Sequence, residues 1–260
     1  MDKHYAGRFL RHRNELDWLF MELYDDRNAL TNLYAMLEEA YNARSQELRD
    51  LDLVREANPE WYRESRMYGM TMYSDLFAGG LKGLMEKLPY ITDQKITYLH
   101  LMPLLKMPHP HNDGGYAVED FDTVDPTIGT NEELAELTKM LRASGVSLCL
   151  DFVMNHTSED HEWARRARAG DGEYMSRYFF YDNDRVPAEF EKTVPQVFPT
   201  TAPGNFTYLP ELGHYVMTTF YPYQWDLNYA NPRVFNEMMA NFLYLANRGI
   251  DVIRIDPVPY

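Results

Sequence analysis

The sequence predicts an α/β fold: the N-terminal half of a (β/α)8 TIM barrel, interrupted after its third strand by an insertion and preceded by a small helical domain. Three observations carry that prediction. Four short apolar segments, at 69–73, 96–102, 146–154 and 250–255, alternate with helical patterns. The stretch from Asn155 to about Asp226 breaks the alternation after the third of them. Such alternation builds a parallel sheet with right-handed crossovers, and four units fit half a barrel or a complete open sheet. The third observation separates these two: Gly79-Gly80 lacks the GxGxxG spacing of a nucleotide-binding turn and no GxxxxGK occurs, which favours the barrel.

Each element has a local cause. Residues 8 to 57 contain no Gly or Pro, and Leu16, Leu19, Phe20 and Leu23 recur at helical spacing, as do Leu30, Leu33, Tyr34, Leu37 and Tyr41. This predicts two or three helices packed by a leucine stripe, within a domain spanning 1–66. The first half of the barrel follows at 67–154. Its first strand leads through Gly79-Gly80 into a helix carrying Leu81, Leu84, Met85 and Leu88, and its second is stopped by Pro103. A loop rich in Pro, His and Gly runs to Gly129. Thr130 and Glu133 match a capping box for a helix ending at Gly145. The third strand is apolar almost throughout, as a strand covered on both faces should be. After the insertion at 155–226, the barrel resumes over 227–260. Asn231 and Pro232 supply the cap and first turn of a helix closed by Gly249, and a short buried strand, Ile250 to Ile255, follows.

A formal net charge of -15 argues against a nucleic-acid partner. No apolar run reaches the roughly 18 residues of a membrane span, and the N-terminus has no signal-peptide pattern. Cys149 is the only cysteine, so nothing requires an oxidising compartment, and a cytoplasmic location is the default.

Active sites of barrels lie at the C-terminal ends of the strands. Three such ends carry polar residues: the second leads into Asn112-Asp113-Gly114-Gly115-Tyr116, the third ends Asp151 to His156, and the fourth ends Arg254-Ile255-Asp256. Singly these read as a turn, a cap neighbour and a structural ion pair. Together, at equivalent positions of successive units, they read as one site. Arg254 and Asp256 are two residues apart on a strand and so face the same side. The insertion adds aromatics, 14 in the 52 residues from Tyr174 to Trp225, about twice the chain-wide 14%. Most of these are accounted for as the core of a small subdomain, while flat rings also suit sugar faces.

DFVMNH at 151–156 and GIDVIRID at 249–256 resemble two signature regions of the α-amylase superfamily of glycoside hydrolases. The insertion is similar to that superfamily's B domain. YLHLMPL at 98–104, DGGYAV at 113–118, TTFYPYQWDLNYANP at 218–232 and the helical segment resemble the amylosucrases more specifically. The resemblance departs at Pro257 and Pro259.

The resemblance implies retaining α-glucosyl transfer from sucrose to an α-1,4-glucan with release of fructose, without metal or organic cofactor. Asp256 would be the nucleophile and Arg254 the positive charge beside it. Asp113 and His156 would bind glucosyl hydroxyls, Gln224 would join the substrate-binding set, Tyr116 would stack beneath the ring and Phe220 would wall it in. Asp151 would support the third strand rather than touch substrate. Retaining chemistry also needs a second carboxyl about 5 Å from the first. The resemblance places it after a fifth strand, so this 260-residue chain is expected to be an inactive portion, prone to self-association unless the missing C-terminal half completes it. Sucrose hydrolysis or phosphorolysis, a non-catalytic carbohydrate-binding remnant, and a metal hydrolase built on His156, Asp151 and Asp256 are the alternatives.

Overall fold

The computed structural model describes residues 2–258; Met1, Pro259 and Tyr260, and with them the second of the two prolines singled out above, lie outside the described residues. The chain opens with three helices, α1 (Lys3–Tyr24), α2 (Arg27–Ala43) and α3 (Gln46–Ala57), capped by the side chains of Asp2, Asp26 and Ser45. Ala29, Leu30 and Leu33 of α2 bury against Phe20 of α1, with Phe235 and Met239 packed beside them. The leucine stripe is only partly used. Leu19 is 45% and Leu23 72% exposed, because α2 covers one side of α1 and leaves the other open.

Strand β1 (Gly69–Met72) precedes three short helices, α4 (Ser74–Ala78), α5 (Leu81–Glu86) and α6 (Leu88–Asp93). The single helix expected after Gly79-Gly80 is thus broken between Glu86 and Leu88, where Pro89 opens the last of the three. Strand β2 (Tyr98–Leu101) follows. The predicted loop to Gly129 instead holds an antiparallel pair, β3 (Leu105–Lys106) and β4 (Asp120–Val124), flanking a 3-10 turn at Asp113–Gly115. The capping box forms as predicted: Thr130 and Glu133 bond reciprocally at the start of α7 (Asn131–Ala143).

Strand β5 (Ser147–Val153) is buried over all but its first residue. The excursion after it contains β6 (His156–Ser158), α8 (Glu162–Arg168), α9 (Gly172–Met175), β7 (Phe180–Tyr181), α10 (Arg185–Phe190), β8 (Phe206–Leu209), β9 (His214–Met217) and β10 (Gln224–Asp226). The chain returns through α11 (Pro232–Asn247), capped by Asn231, into β11 (Val252–Asp256).

Strands β1, β2, β5 and β11 form one parallel sheet in that spatial order. Strand order matches chain order without reversal, as in a barrel wound in one direction; a doubly wound sheet turns back on itself. The final strand is not buried as the apolar run implied: Ile255 is 39% exposed. β11 pairs only with β5 and is an edge of the described sheet, so its far side is uncovered. Among the described residues no helix is long and apolar enough to cross a membrane.

Candidate active site

The parallel register sets Arg254 opposite Asp151 and Asp256 opposite Val153. The Arg254 guanidinium bridges two carboxylates: Nη1 donates to Asp151 Oδ1 at 2.6 Å, and Nη2 pairs with Asp256. Asp151 is buried, so its charge depends on these partners. Tyr116 Oη donates to the other Asp151 oxygen at 3.1 Å, and burial, together with the Asp151 carboxylate, pushes the Tyr116 phenol upward. His100, on β2, brings Nε2 to 3.3 Å from Asp151 Oδ1. The Arg254 guanidinium is held firmly charged by its bond to Asp151 and the Asp256 charge.

A second cluster forms where the Asp113–Gly115 turn meets the insertion. Asp113, Gly114 and Gly115 all take left-handed backbone, with φ of 52°, 67° and 95°. Glycine is required at Gly115, where an added Cβ would lie 2.7 Å from Pro103 Cβ. Gln224, fully buried, donates Nε2 to Asp113 Oδ2 at 3.2 Å while its Oε1 accepts from the Tyr221 amide at 3.0 Å. Burial raises the Asp113 carboxyl; the Gln224 bond opposes that shift and the charge of Asp256 adds to it. Asp113 and Asp256 therefore share one electrostatic environment, although 143 positions separate them in sequence.

His156 links the two clusters. It is 2% exposed, with Nε2 at 3.1 Å from the Tyr116 carbonyl and Nδ1 at 3.4 Å from Asn155 Nδ2. These partners assign a neutral ring with the proton on Nε2, donated to the carbonyl. Gln224 Nε2, also 3.1 Å from His156 Nε2, is then a close neighbour whose N–H serves Asp113. Burial pushes His156 down to about 4, so it stays neutral near pH 7. The Phe220 ring lies 5.1 Å from the His156 ring. Behind them, buried Asp226 accepts from the amide and hydroxyl of Thr219 and from Asn155.

The structure thus brings Asp113, Tyr116, His156, Phe220, Gln224, Arg254 and Asp256 into one connected region. Sequence reasoning overlooked His100 and Asp226. For His100 a signal existed, since it is the one histidine within the apolar segment 96–102. Asp226 carried none beyond the polar character of the insertion. His156, Asp151 and Asp256 each have the separate partners described above, and His109 turns to Asp125 at 3.1 Å. Among the described residues no group of three or more His, Cys, Asp or Glu side chains could hold a metal ion.

Comparison with known proteins agrees with this geometry. The family profile described as "Alpha amylase, catalytic domain" matches residues 27–260. The trehalose synthase of Pimelobacter sp. is 35% identical over 208 residues, covering 78% of this chain and 35% of that protein. The α-glucosidase of Culex pipiens is 31% identical over 204 residues, covering 76% and 34%. A MutB mutant solved in complex with the substrate sucrose superposes with a TM-score of 0.66 at 28% identity, over 76% of this chain and 35% of MutB. The trehalulose synthase MutB from Pseudomonas mesoacidophila MX-45 gives 0.64 at 26% identity, over 74% and 34%. The chain spans about a third of the length of the curated relatives it matches. With its four parallel strands in barrel order, their polar C-terminal ends gathered at one mouth, and the matching profile over nine-tenths of its length, the chain forms the N-terminal part of a (β/α)8 barrel and belongs to the α-amylase family.

Proposed function

We propose that this chain carries the nucleophile and glucosyl-binding half of an amylosucrase-like enzyme, which splits sucrose by retaining chemistry and passes the glucosyl unit to an α-1,4-glucan. The observation that carries the reading is Asp256 at the end of β11, paired with Arg254 and within the field of Asp113. The Asp256 carboxylate attacks the anomeric carbon of the glucosyl unit. The bond to the fructosyl oxygen breaks, and fructose leaves with a proton from a second carboxyl. An acceptor hydroxyl then displaces Asp256, returning its proton to that carboxyl. Arg254 holds Asp256 and is itself anchored by buried Asp151. Asp113, oriented by Gln224, and His156 take glucosyl hydroxyls; the Tyr116 ring lies beneath the sugar and Phe220 at its side.

In this reading residues 1–66 form the helical domain, 67–154 and 227–260 the barrel portion and 155–226 a B domain. Sucrose and α-glucan are the partners, and a cytoplasmic setting fits the unpaired, buried Cys149. The acid/base carboxyl is assigned to the end of a fifth strand, so these 260 residues alone are expected to turn over nothing. A second reading, transfer of the glucosyl unit to another hydroxyl of the released sugar, is favoured by the likeness to MutB solved with sucrose.

The test is product analysis after incubating sucrose with these 260 residues alone and with the barrel completed by strands five to eight. Insoluble or soluble α-glucan with free fructose supports transfer. Isomeric disaccharide supports the second reading, and glucose alone or, with phosphate, glucose 1-phosphate rejects both. Sustained fructose release by the 260 residues alone would refute the assignment of the acid/base.

A further inference from the structure

The neighbours of His156 Nε2 leave the hydrogen-bonding sense of the ring open. This nitrogen lies 3.1 Å from the Tyr116 carbonyl, which can only accept, and 3.1 Å from Gln224 Nε2, which can only donate. A ring protonated at Nε2 serves the carbonyl, and a ring protonated at Nδ1 takes a bond from Gln224 instead. In a neutral imidazole, the partner of one nitrogen decides whether the other carries the proton. The partner of Nδ1 is the side-chain amide of Asn155, at 3.4 Å. That amide is itself two-sided, because it offers oxygen or NH2 according to which way it is turned. The choice is therefore made one residue further on.

Asp226 makes it. The antiparallel pairing of β10 with β6 sets Asp226 opposite His156. The Asp226 carboxylate is buried, and both of its oxygens accept. Oδ2 takes the Thr219 amide at 2.6 Å and the Thr219 hydroxyl at 2.7 Å, and Oδ1 takes Asn155 Nδ2. An ionised carboxylate has no proton to give, so Asn155 must turn its NH2 group toward it. The second N–H of that group reaches His156 Nδ1, which is thereby an acceptor, and the ring proton goes to Nε2. The Asn155 main chain is held as well, its carbonyl accepting from the Leu227 amide at 2.8 Å. Burial raises Asp226 only to about 6, so the carboxylate prevails near pH 7.

We propose that Asp226 is a positioning residue that sets the tautomer of His156 through Asn155, so that the ring meets the glucosyl unit with its N–H at Nε2. The inference rests on the glucosyl-binding role proposed above for His156. The same carboxylate holds Thr219, the residue before Phe220, whose ring lies 5.1 Å from the His156 ring. One buried charge thus fixes the proton of His156 and anchors the segment that carries its neighbouring ring.

Asp226→Asn keeps the shape and removes the charge. The Thr219 main-chain N–H cannot reverse, so the new amide oxygen stays with it and the new NH2 group faces Asn155. Asn155 must then turn its own oxygen inward, against Nδ1. The ring proton moves to Nδ1, and Gln224 donates to the bare Nε2. Nitrogen NMR of the histidine-labelled 260-residue chain near pH 7 distinguishes the two tautomers, with the His156 signals identified by their loss in His156→Gln. The parent should show Nε2–H and Asp226→Asn chiefly Nδ1–H. Thr219→Val strips one bond from the same carboxylate without touching Asn155, and should keep the parent pattern. A parent ring protonated at Nδ1 overturns the inference whether or not a variant folds. So does Nε2–H retained in Asp226→Asn, or an equal change in Thr219→Val. In the completed barrel, Asp226→Asn should raise KM for sucrose about fivefold at nearly constant kcat, and an unchanged KM also counts against the inference. If the parent barrel does not split sucrose, the substrate reading fails by itself while the spectra still decide the role of Asp226.

Discussion

The carboxylate of Asp151 accepts from Arg254 and Tyr116 while nothing but protein surrounds it, and Asp226 and His156 are buried nearby in equally closed settings. Charge states at single residues therefore set how the protein responds to pH. Burial pushes both His156 and His161 down to about 4. In the unfolded chain they titrate near 6.5, so below that pH the unfolded state binds two protons that the folded state refuses until about pH 4. Their contribution to stability is present above pH 6.5 and is lost as pH falls across this window. Asp226 works in the opposite direction. Burial raises it to about 6, so the folded state takes its proton first and gains stability as pH falls from about 6 to the ordinary carboxylate range. Two histidines against one carboxylate leave a net loss of about 4 kcal/mol by pH 4. Urea unfolding between pH 7 and 4.5 measures it, and His161→Gln should flatten the slope. A profile that is level, or that rises on acidification, contradicts the account.

Among the elements, the turn Asp113–Gly115 concentrates the most constraint. At Gly115 an alanine would combine a φ of 95° with a Cβ 2.7 Å from Pro103 Cβ and 3.3 Å from Met107 Cε. Gly145, at the end of α7, has a similar φ of 73° and nothing within 4 Å of the added atom. Gly145→Ala isolates the backbone penalty, about 1 kcal/mol, whereas Gly115→Ala adds steric overlap and should lose about 3 kcal/mol. Thermal unfolding of the pair checks this, with equal losses arguing against overlap at Gly115. The helix starts at Thr130 and Asn231 were legible in the sequence because each cap acts on a residue only two or three positions on. The β3–β4 pair was not, since its partners Leu105 and Val124 are brought together only by folding and neither segment is a periodic run.

Across the whole molecule, the N-terminal helices are tied to the barrel at its far end from the site. Arg55 of α3 pairs with Asp251, whose side chain is 4% exposed and also accepts the Leu148 amide at 2.9 Å. Arg55 stacks 4.1 Å over the Trp61 ring, and Asn236 and Asn247 of α11 donate to the carbonyls of Ala29 and Ala40 on α2. Arg55→Ala leaves the Asp251 carboxylate buried with one amide for company and should destabilise the fold by about 3 kcal/mol. Arg63→Ala, which removes an exposed i,i+3 pair with Glu60, should change stability by less than about 0.5 kcal/mol. Denaturant midpoints for the two variants test the contrast, and similar values would mean that Asp251 finds solvent when Arg55 is gone.

By itself the sequence determined the order of the four barrel strands, the helix starts at Thr130 and Asn231, the barrel winding, and the three strand ends where polar residues gather. These follow from periodicities of two and 3.6 residues and from cap chemistry, which act over a single turn or strand. Tertiary structure alone decided that Arg254 bridges Asp151 to Asp256 and that Gln224 holds the Asp113 carboxylate. The Arg254–Asp151 and Gln224–Asp113 contacts join positions 103 and 111 residues apart. Their strength comes from burial, and burial exists only after the parallel register of β5 with β11 and the fold-back of the insertion have excluded water.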